Sequence, residues 1–192
     1  MEIYEAVLKR RNVHKFKQEK LPEDKLKKIL EAGLQSPSGF NEQPWEFVVV
    51  TDQPTVKKLA QYKYDHNMQG LLASKVPKEE AEKLAGTQRD AFNNCTPVAV
   101  LYRKDKPVSM QSAWCCITTI WLAAASEGLG LSPAFFAPHA QDPLKEILGV
   151  PESYDVAAIM RIGVPQAIPD RKPRKTLKEC LHYNRFGGGQ MP

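Results

Sequence analysis

Residues 36–51 of this 192-residue chain read SPSGFNEQPWEFVVVT, and this stretch predicts how the first strand of the fold begins. Up to Gln43 it is rich in small and amide side chains, which are typical of a loop. From Glu46 to Thr51 it becomes a β-branched run bounded by Pro44 and Pro54, which predicts a buried strand. A polar loop therefore leads directly into the sheet.

Two helices are predicted before this stretch. Ile3, Val7 and Leu8 fall on one side of a short N-terminal helix, which ends in a basic run where the chain changes direction. The second helix begins around Pro22, whose ring suits a first helical turn, and stops before Pro37. Its apolar residues recur at helical spacing, and they are Leu26, Ile29, Leu30 and Leu34.

Helices and strands follow one another without strict alternation after residue 51. The pattern predicts helices over Thr55 to Tyr62, Lys78 to Phe92, Gln111 to Glu127, and from a cap at Asp142 to Gly149. It predicts strands over Pro97 to Tyr102, Leu131 to Phe136 and Tyr154 to Gly163. The segment around His66 and Gly70 has no readable pattern. We therefore expect an α+β fold with a central sheet, in a single domain over residues 1–192.

The predicted helix over Gln111 to Glu127 is apolar nearly all round. Such a helix has to be covered on most sides, so we assign Trp114 and Trp121 to the core or to a subunit contact. Its apolar run is interrupted by Thr118 and Thr119 and is shorter than the roughly 18 to 20 residues that cross a bilayer. We expect no membrane partner.

The formal net charge of +5 favours an anionic partner, which could be a nucleic acid, a phosphate-bearing cofactor or an acidic surface. The four cysteines have no spacing typical of zinc, and no secretory leader is evident, so we expect free thiols, no bound metal and a cytoplasmic protein. The sequence also lacks G-x-G-x-x-G, Walker, H-E-x-x-H and G-x-S-x-G motifs.

The segment from Arg10 to Phe16 reads RRNVHKF and is the first candidate for binding chemistry. Guanidinium groups bind phosphate oxygens in pairs, and the amide of Asn12 adds a donor and an acceptor beside them. Taken alone, this segment is also compatible with a solvated basic turn, and the 36–45 loop with a plain connection from helix to strand.

Taken in order, these segments resemble the nitroreductase family of FMN-dependent oxidoreductases. The family pattern has a helix ending in Arg-Arg-Ser-hydrophobic-Arg, followed by Ser-Pro-Ser-x-x-Asn-x-Gln-Pro-Trp at the first strand. This chain matches the second motif almost residue for residue through Trp45. The likeness continues through Gly128-Leu129-Gly130, Gly163-Val164-Pro165, Arg174-Lys175 and the closing stretch from His182 to Gly187. Residues 62–94 are unmatched.

The resemblance implies a mostly antiparallel sheet flanked by helices, in an intertwined homodimer that binds FMN at the subunit interface. It implies that Arg10 and either Arg174 or Lys175 neutralise the 5′-phosphate, since a dianion needs charge-assisted donors. Arg11 and Asn12 would lie along the ribityl chain and the pyrimidine edge. There they would favour the reduced flavin, while the redox chemistry belongs to the cofactor.

Further contacts implied by the resemblance come from the 36–43 loop and from a second turn. The partner subunit would supply Pro37, Ser38, Gly39, Asn41 and Gln43. The turn Pro133-Ala134-Phe135-Phe136 matches the stretch that gives backbone hydrogen bonds near N5 of the flavin. No side-chain acid or base is implied.

Three positions depart from the family pattern. Asn12 replaces a common serine, and Thr176 stands where proline is frequent. His14 replaces the usual Arg or Lys, so the resemblance implies a cofactor contact there that would weaken phosphate affinity or make it pH-dependent.

The function that we expect is a ping-pong transfer of hydride from NADH or NADPH through FMN to a nitroaromatic, a quinone or a similar small acceptor. The family also holds dehalogenases and flavin-fragmenting enzymes, so those reactions stay open. A basic module that binds nucleic acid through the same arginines is the alternative from another class.

Overall fold

The computed structural model describes residues 2–137 and 140–189, and they form an antiparallel sheet with helices on both faces. The helices are α1 (Ile3–Lys9), α2 (Glu23–Leu34), α3 (Gln53–Ala73), α4 (Lys78–Asp90), α5 (Ser109–Ser126) and α6 (Gln141–Leu148). The strands are β1 (Trp45–Val49), β2 (Thr96–Arg103), β3 (Gly130–Ala134) and β4 (Tyr154–Gly163), and short 3₁₀ turns cover Gly39–Asn41 and Leu177–Glu179. The predicted α+β class with an antiparallel sheet is confirmed.

The sheet has the order β1-β2-β4-β3, and all three strand pairings are antiparallel. The prediction that the β1 region is a buried strand was wrong in one respect: β1 is an edge strand, and Glu46 and Val49 are exposed. The β-branched run indicates a strand whether the strand is central or at an edge, because the periodicity carries no information on neighbours.

Two other predicted boundaries need correction. The short helix predicted to end at Tyr62 continues to Ala73, so the unreadable segment around His66 is the second half of α3. Asp142 lies inside the first turn of α6 rather than at its cap, which is Ala140. The prediction that this helix ends at Gly149 is confirmed. Gly149 follows α6 with φ 66°, in the left-handed region that glycine adopts most easily.

Each face of the sheet packs against its own core. On one face, α2 and α5 cover an apolar cluster that includes Ile29, Ile117, Ile120, Val100 and Met160. On the other face, α3 and α6 cover a second cluster, which includes Leu59, Phe92, Phe136, Leu144 and Ile159.

The chain after α1 crosses the end of the sheet where β3 begins and β4 ends. Gly130 and Gly163 are paired there, and a Cβ atom on either glycine would meet Val13 or Phe16 within 3 Å. The missing side chains therefore let this crossing segment lie against the sheet. Asn12 forms a parallel bridge with Leu131, and Phe16 forms an antiparallel bridge with Pro165. The end of α1 is thus fixed beside the segment that follows β4.

Within the described residues no helix combines the length and the hydropathy needed to span a membrane.

Candidate cofactor site

A cavity of about 460 Å³ lies between the end of α1, the middle of α5 and the segment 169–174. We call it the cationic cavity, because five of its lining residues are cationic: Arg10, Arg11, Arg171, Lys172 and Arg174. Asp170 is the one acidic residue among the described residues that line it. The cavity therefore combines three separate parts of the chain, and its volume is in the range of about 300 to 1,000 Å³ that is usual for ligand pockets.

Arg10 is, with Arg11, one of the two half-buried cations of this cavity. Its guanidinium carbon lies 4.2 Å from the centre of the Trp121 ring, a cation–π contact. Burial lowers the pKa of Arg10, and the neighbouring charges of Arg174 and Arg11 lower it further. A group of like charges that destabilise one another is the electrostatic signature of a site that binds an anion.

Arg11 is largely engaged in holding the backbone. Its Nη1 donates to the carbonyl groups of Leu8 and Arg10, at 2.6 and 2.8 Å, and its Nε donates to the carbonyl of Pro169 at 3.2 Å. Arg11 thus ties the end of α1 to the segment that carries Lys172 and Arg174. Its backbone carbonyl also accepts a hydrogen bond from Nε1 of Trp121, at 3.0 Å.

The other two predicted residues of this segment have different surroundings. Asn12 lines the cationic cavity and its side chain is exposed. His14 lies instead in a separate cavity of about 320 Å³, together with Thr87, Asp90 and Gln166. The Nδ1 atom of His14 is buried and has no hydrogen-bond partner among the described residues. Burial lowers the pKa of His14, and the charges of Arg161 and Lys172 lower it further, so the imidazole is neutral at neutral pH.

The two basic residues that sequence reasoning could not separate are distinguished by the fold. Arg174 lines the cationic cavity, whereas Lys175 is exposed and does not. The two residues are adjacent in a segment without helix or strand, and only the packing of the chain distinguishes them.

The 36–43 loop forms a second, separate surface. A shallow groove of about 230 Å³, which we call the loop groove, is lined by Pro37, Ser38, Gly39 and four residues at the start of α5 and just before it. The amide of Gly39 donates to Oγ of Ser112 at 3.2 Å, and the amide of Gln43 donates to Oγ of Ser38 at 3.1 Å. The first bond holds the loop on α5, and the second lies within the loop.

Three residues of this loop that are not glycine have positive φ angles. They are Phe40 (53°), Asn41 (53°) and Gln43 (44°). Such backbone conformations cost free energy in residues other than glycine and occur most often at functional sites. The side chains of Asn41 and Gln43 are exposed, and neither residue lines the loop groove or the cationic cavity.

The predicted turn Pro133–Phe136 is only partly a turn: Pro133 and Ala134 are the last two residues of β3, and only Phe135 and Phe136 follow the strand. The side chains of Ala134 and Phe136 are buried in the core, and Phe136 stacks on Tyr62 with a centroid distance of 5.7 Å. The side chain of Phe135 is 52% exposed. The turn can therefore meet a ligand only through its backbone, the half-buried Pro133 and the Phe135 ring.

Sequence reasoning missed several residues of this region. Trp121 packs against the core on one side, as predicted, but its other side lines the cationic cavity under Arg10. Lys172 also lines the cavity, and its position in a proline-rich basic segment gave no signal of this role. The cation–π pair with Arg10 joins residues 111 positions apart, so no local pattern could have predicted it.

The donor set suits a phosphate ester better than a metal. Guanidinium and ammonium groups form charge-assisted hydrogen bonds with phosphate oxygens, and Trp121 adds an aromatic wall. In the described part of the chain, no group of three or more His, Cys, Asp and Glu side chains is arranged to hold a metal ion.

A four-stranded antiparallel sheet, covered by helices on both faces and carrying a cationic cavity at the end of its first helix, defines the nitroreductase fold class. The chain belongs to the nitroreductase family, whose family model matches residues 7–164.

Two relatives illustrate the chemistry found in similar proteins. The chain is 28% identical over 193 residues to an iodotyrosine deiodinase of Thermotoga neapolitana, covering 96% of this chain and 98% of that protein. It is 31% identical over 180 residues to a 5,6-dimethylbenzimidazole synthase of Rhodobacter capsulatus, covering 84% and 82%.

A solved structure is similar to this chain over nearly its whole length. Oxidized iodotyrosine deiodinase, bound to FMN and 3-iodo-L-tyrosine, superimposes with a TM-score of 0.81 at 25% sequence identity. The match covers 96% of this chain and all of that one.

Proposed function

We propose that this protein is a homodimeric FMN-dependent oxidoreductase. The observation that carries the proposal is the cationic cavity: five cations from two distant segments surround a volume of about 460 Å³ beside one aromatic ring. The similarity to a deiodinase solved with FMN supports the choice of ligand.

The residues that would hold the phosphate are Arg10, Lys172 and Arg174. Arg10 is fixed by its contact with Trp121, and the other two lie on the segment that Arg11 ties to α1. Burial is the main cause of the lowered pKa of Arg10, and a bound phosphate would relieve the repulsion from Arg174 and Arg11 that adds to it. Asn12 would contact the sugar-like chain. We assign no phosphate contact to His14, because it lines a separate cavity and its Nδ1 is buried.

A second copy of this chain would complete the site. The loop groove and the cationic cavity share no lining residue, so Pro37, Ser38, Gly39, Asn41 and Gln43 are proposed to serve the partner's cofactor. Large apolar side chains are exposed on α1, where Tyr4 is 81% exposed, and at Phe40, which is 87% exposed. Large exposed apolar side chains of this kind are common at protein interfaces.

Bound FMN would supply the redox chemistry, accepting hydride equivalents from NADH or NADPH and passing two electrons to the acceptor. The chain's own contribution is to bind, orient and shield. Its cations hold the phosphate end, the 133–136 turn offers backbone groups and the Phe135 ring, and no described side chain is needed as an acid or a base.

A nitroaromatic or a quinone is the acceptor that we propose. Reductive dehalogenation is the second candidate, because the match to the Thermotoga deiodinase covers nearly the full length of both proteins. Removing iodide from an aryl ring consumes two electrons and one proton for each iodide released. A shared fold does not choose between these acceptors.

The phosphate assignment is tested by FMN titration of three variants. Arg10→Ala and Arg174→Ala each remove a charged donor, so we expect FMN affinity to fall about 10- to 100-fold. Lys175→Ala is the matched control, because that side chain lies outside the cationic cavity, and we expect less than about a threefold change. Equal losses at positions 174 and 175 would contradict the assignment.

The reaction is tested with the purified holoenzyme. We expect a yellow protein that NADH or NADPH reduces, and that menadione, nitrofurazone or 3-iodo-L-tyrosine then reoxidises at measurably different rates. Iodide release would favour the deiodinase chemistry. A colourless protein that binds no added FMN would overturn the proposal.

A further inference from the structure

Two buried cations hold the carbonyl groups on either side of Pro133 and Ala134, the last two residues of β3. Lys63, on α3, donates from Nζ to the carbonyl of Phe135 at 2.5 Å. Arg161, on β4, donates from Nε to the carbonyl of Ser132 at 3.4 Å. One cation therefore approaches the turn from a helix and the other from a strand, and we call this pair the cation clamp.

One aromatic ring lies beside each member of the clamp. The Nζ atom of Lys63 lies 4.6 Å from the centre of the Phe136 ring, and the guanidinium carbon of Arg161 lies 5.4 Å from that of Phe92. The adjacent Tyr62 stacks on Phe136 and donates from its hydroxyl to the carbonyl of Ala140 at 2.7 Å. The middle of α3 thus contacts Phe135, Phe136 and Ala140 after β3.

Neither cation has a carboxylate partner in the described part of the chain. Arg161 is 0% exposed, and its other acceptors are the backbone carbonyl and the side-chain oxygen of Gln88, at 3.1 and 3.3 Å. Lys63 is 6% exposed. Buried cations are normally paired with carboxylates, because an unpaired buried charge strongly destabilises a fold.

Lys145 shows that this fold can pair a buried cation. It is also nearly fully buried, and its Nζ lies 3.0 Å from Glu152, 3.7 Å from Asp155 and 3.9 Å from Asp142. The contrast makes the unpaired state of Lys63 and Arg161 a specific feature of the region beside the turn. The Oγ atom of Ser132, which is also buried and without a partner among the described residues, belongs to the same region.

We propose that Lys63 and Arg161 are positioning residues that hold the 132–136 segment against the flavin and place two positive charges behind it, which favours the reduced cofactor. This inference rests on the proposed function, because it takes the turn as the contact surface for the isoalloxazine ring. Two electrons added to the ring bring negative charge, and nearby buried cations stabilise that charge with little screening from water.

The first test measures binding of oxidised and reduced FMN separately. In Lys63→Met and Arg161→Met we expect the reduced form to lose about tenfold more affinity than the oxidised form, equivalent to a two-electron potential lower by about 30 mV. Lys63→Arg and Arg161→Lys keep the charge and should restore most of the difference. Lys57→Met, at an exposed position of the same helix, is the control and should leave the ratio unchanged.

The second test needs no bound flavin. Amide hydrogen exchange in the apoprotein should be faster at residues 132–137 in Lys63→Met than in the wild type, and unchanged in Lys57→Met. Protection equal to that of the wild type, or a normal affinity ratio in both Met variants, would overturn the clamp. Failure of the wild-type protein to bind FMN would instead count against the proposed function, and the exchange data would still decide whether the clamp exists.

Discussion

The two faces of the sheet differ in what they bury. On the face of α2 and α5, the buried residues are apolar side chains together with a few serine hydroxyls. On the face of α3 and α6, the core also contains Lys63, Lys145 and Arg161, which are the three buried charged residues among those the structure describes. Apolar burial on the first face stabilises the fold. Burying charges on the second face costs stability, and those charges lie beside a proposed site.

The comparison also explains where the candidate site lies. The cationic cavity opens where α5, the main helix of the apolar face, meets the segment that follows β4. The 133–136 turn lies at the end of β3 and is held from the other face by Lys63. The phosphate of the proposed flavin would therefore bind beside the apolar face. Its reduced form would be favoured by Lys63 and Arg161 on the other face.

The largest effect that we expect is a loss of stability on the apolar face. Ile117, on α5, is fully buried, so Ile117→Ala should lower the free energy of unfolding by about 2 to 5 kcal/mol. Urea denaturation measures this change, and Ile117→Val, which removes one methyl group, should cost only about 0.5 to 1.5 kcal/mol. A loss below about 1 kcal/mol for the alanine variant would contradict the conclusion that the apolar face stabilises the fold.

A smaller effect is expected at an uncharged polar group of the other face. Gln141 donates from Nε2 to the carbonyl of Val156 at 3.2 Å, and its Oε1 accepts from the amide of Val156 at 2.9 Å. This pairing lies at the irregularity where the register of β2 and β4 shifts.

Gln141→Leu would leave both backbone groups of Val156 unpaired, so it should lower the free energy of unfolding by about 1 to 3 kcal/mol. Gln69→Leu, at an exposed position of α3, is the matched control and should change it by less than about 0.5 kcal/mol. Similar values for the two variants in urea denaturation would show that the Gln141 pairing contributes little.

The third expected effect is a difference in pH dependence. Burial, and then the charge of Arg161, lower the pKa of Lys63 to about 8 from an ordinary value of 10.5. Between these values the unfolded chain binds more protons than the folded one, so Lys63 makes stability rise as pH rises from 8 to 10.5. Below pH 8 the full cost of the buried charge is present.

Lys63→Met should therefore show a flatter dependence of unfolding free energy on pH over this window, measured by urea denaturation at intervals from pH 7.5 to 10. Lys57→Met should follow the wild-type slope. Parallel slopes for Lys63→Met and the wild type would mean that folding does not lower the pKa of Lys63.

Much of the framework follows from local sequence patterns. Residues 36–51 predicted the loop and the first strand, and the alanine-rich run predicted α5, because periodicity and turn residues report the local backbone directly. The motifs Gly128-Leu129-Gly130 and Gly163-Val164-Pro165 contain the paired glycines Gly130 and Gly163. Only the fold shows why glycine is needed there: the missing side chains leave room for Val13 and Phe16.

By itself, the sequence determined the class of fold, the family and the identity of the basic segments that could hold an anion. The tertiary structure alone decided that Arg174 rather than Lys175 faces the cavity, that Trp121 lies under Arg10, and that Lys63 and Arg161 meet the same turn. The physical reason is distance along the chain. Local patterns report which backbone conformation a residue adopts, whereas a site joins side chains that lie 70 to 160 positions apart, and only packing of the whole chain brings them together.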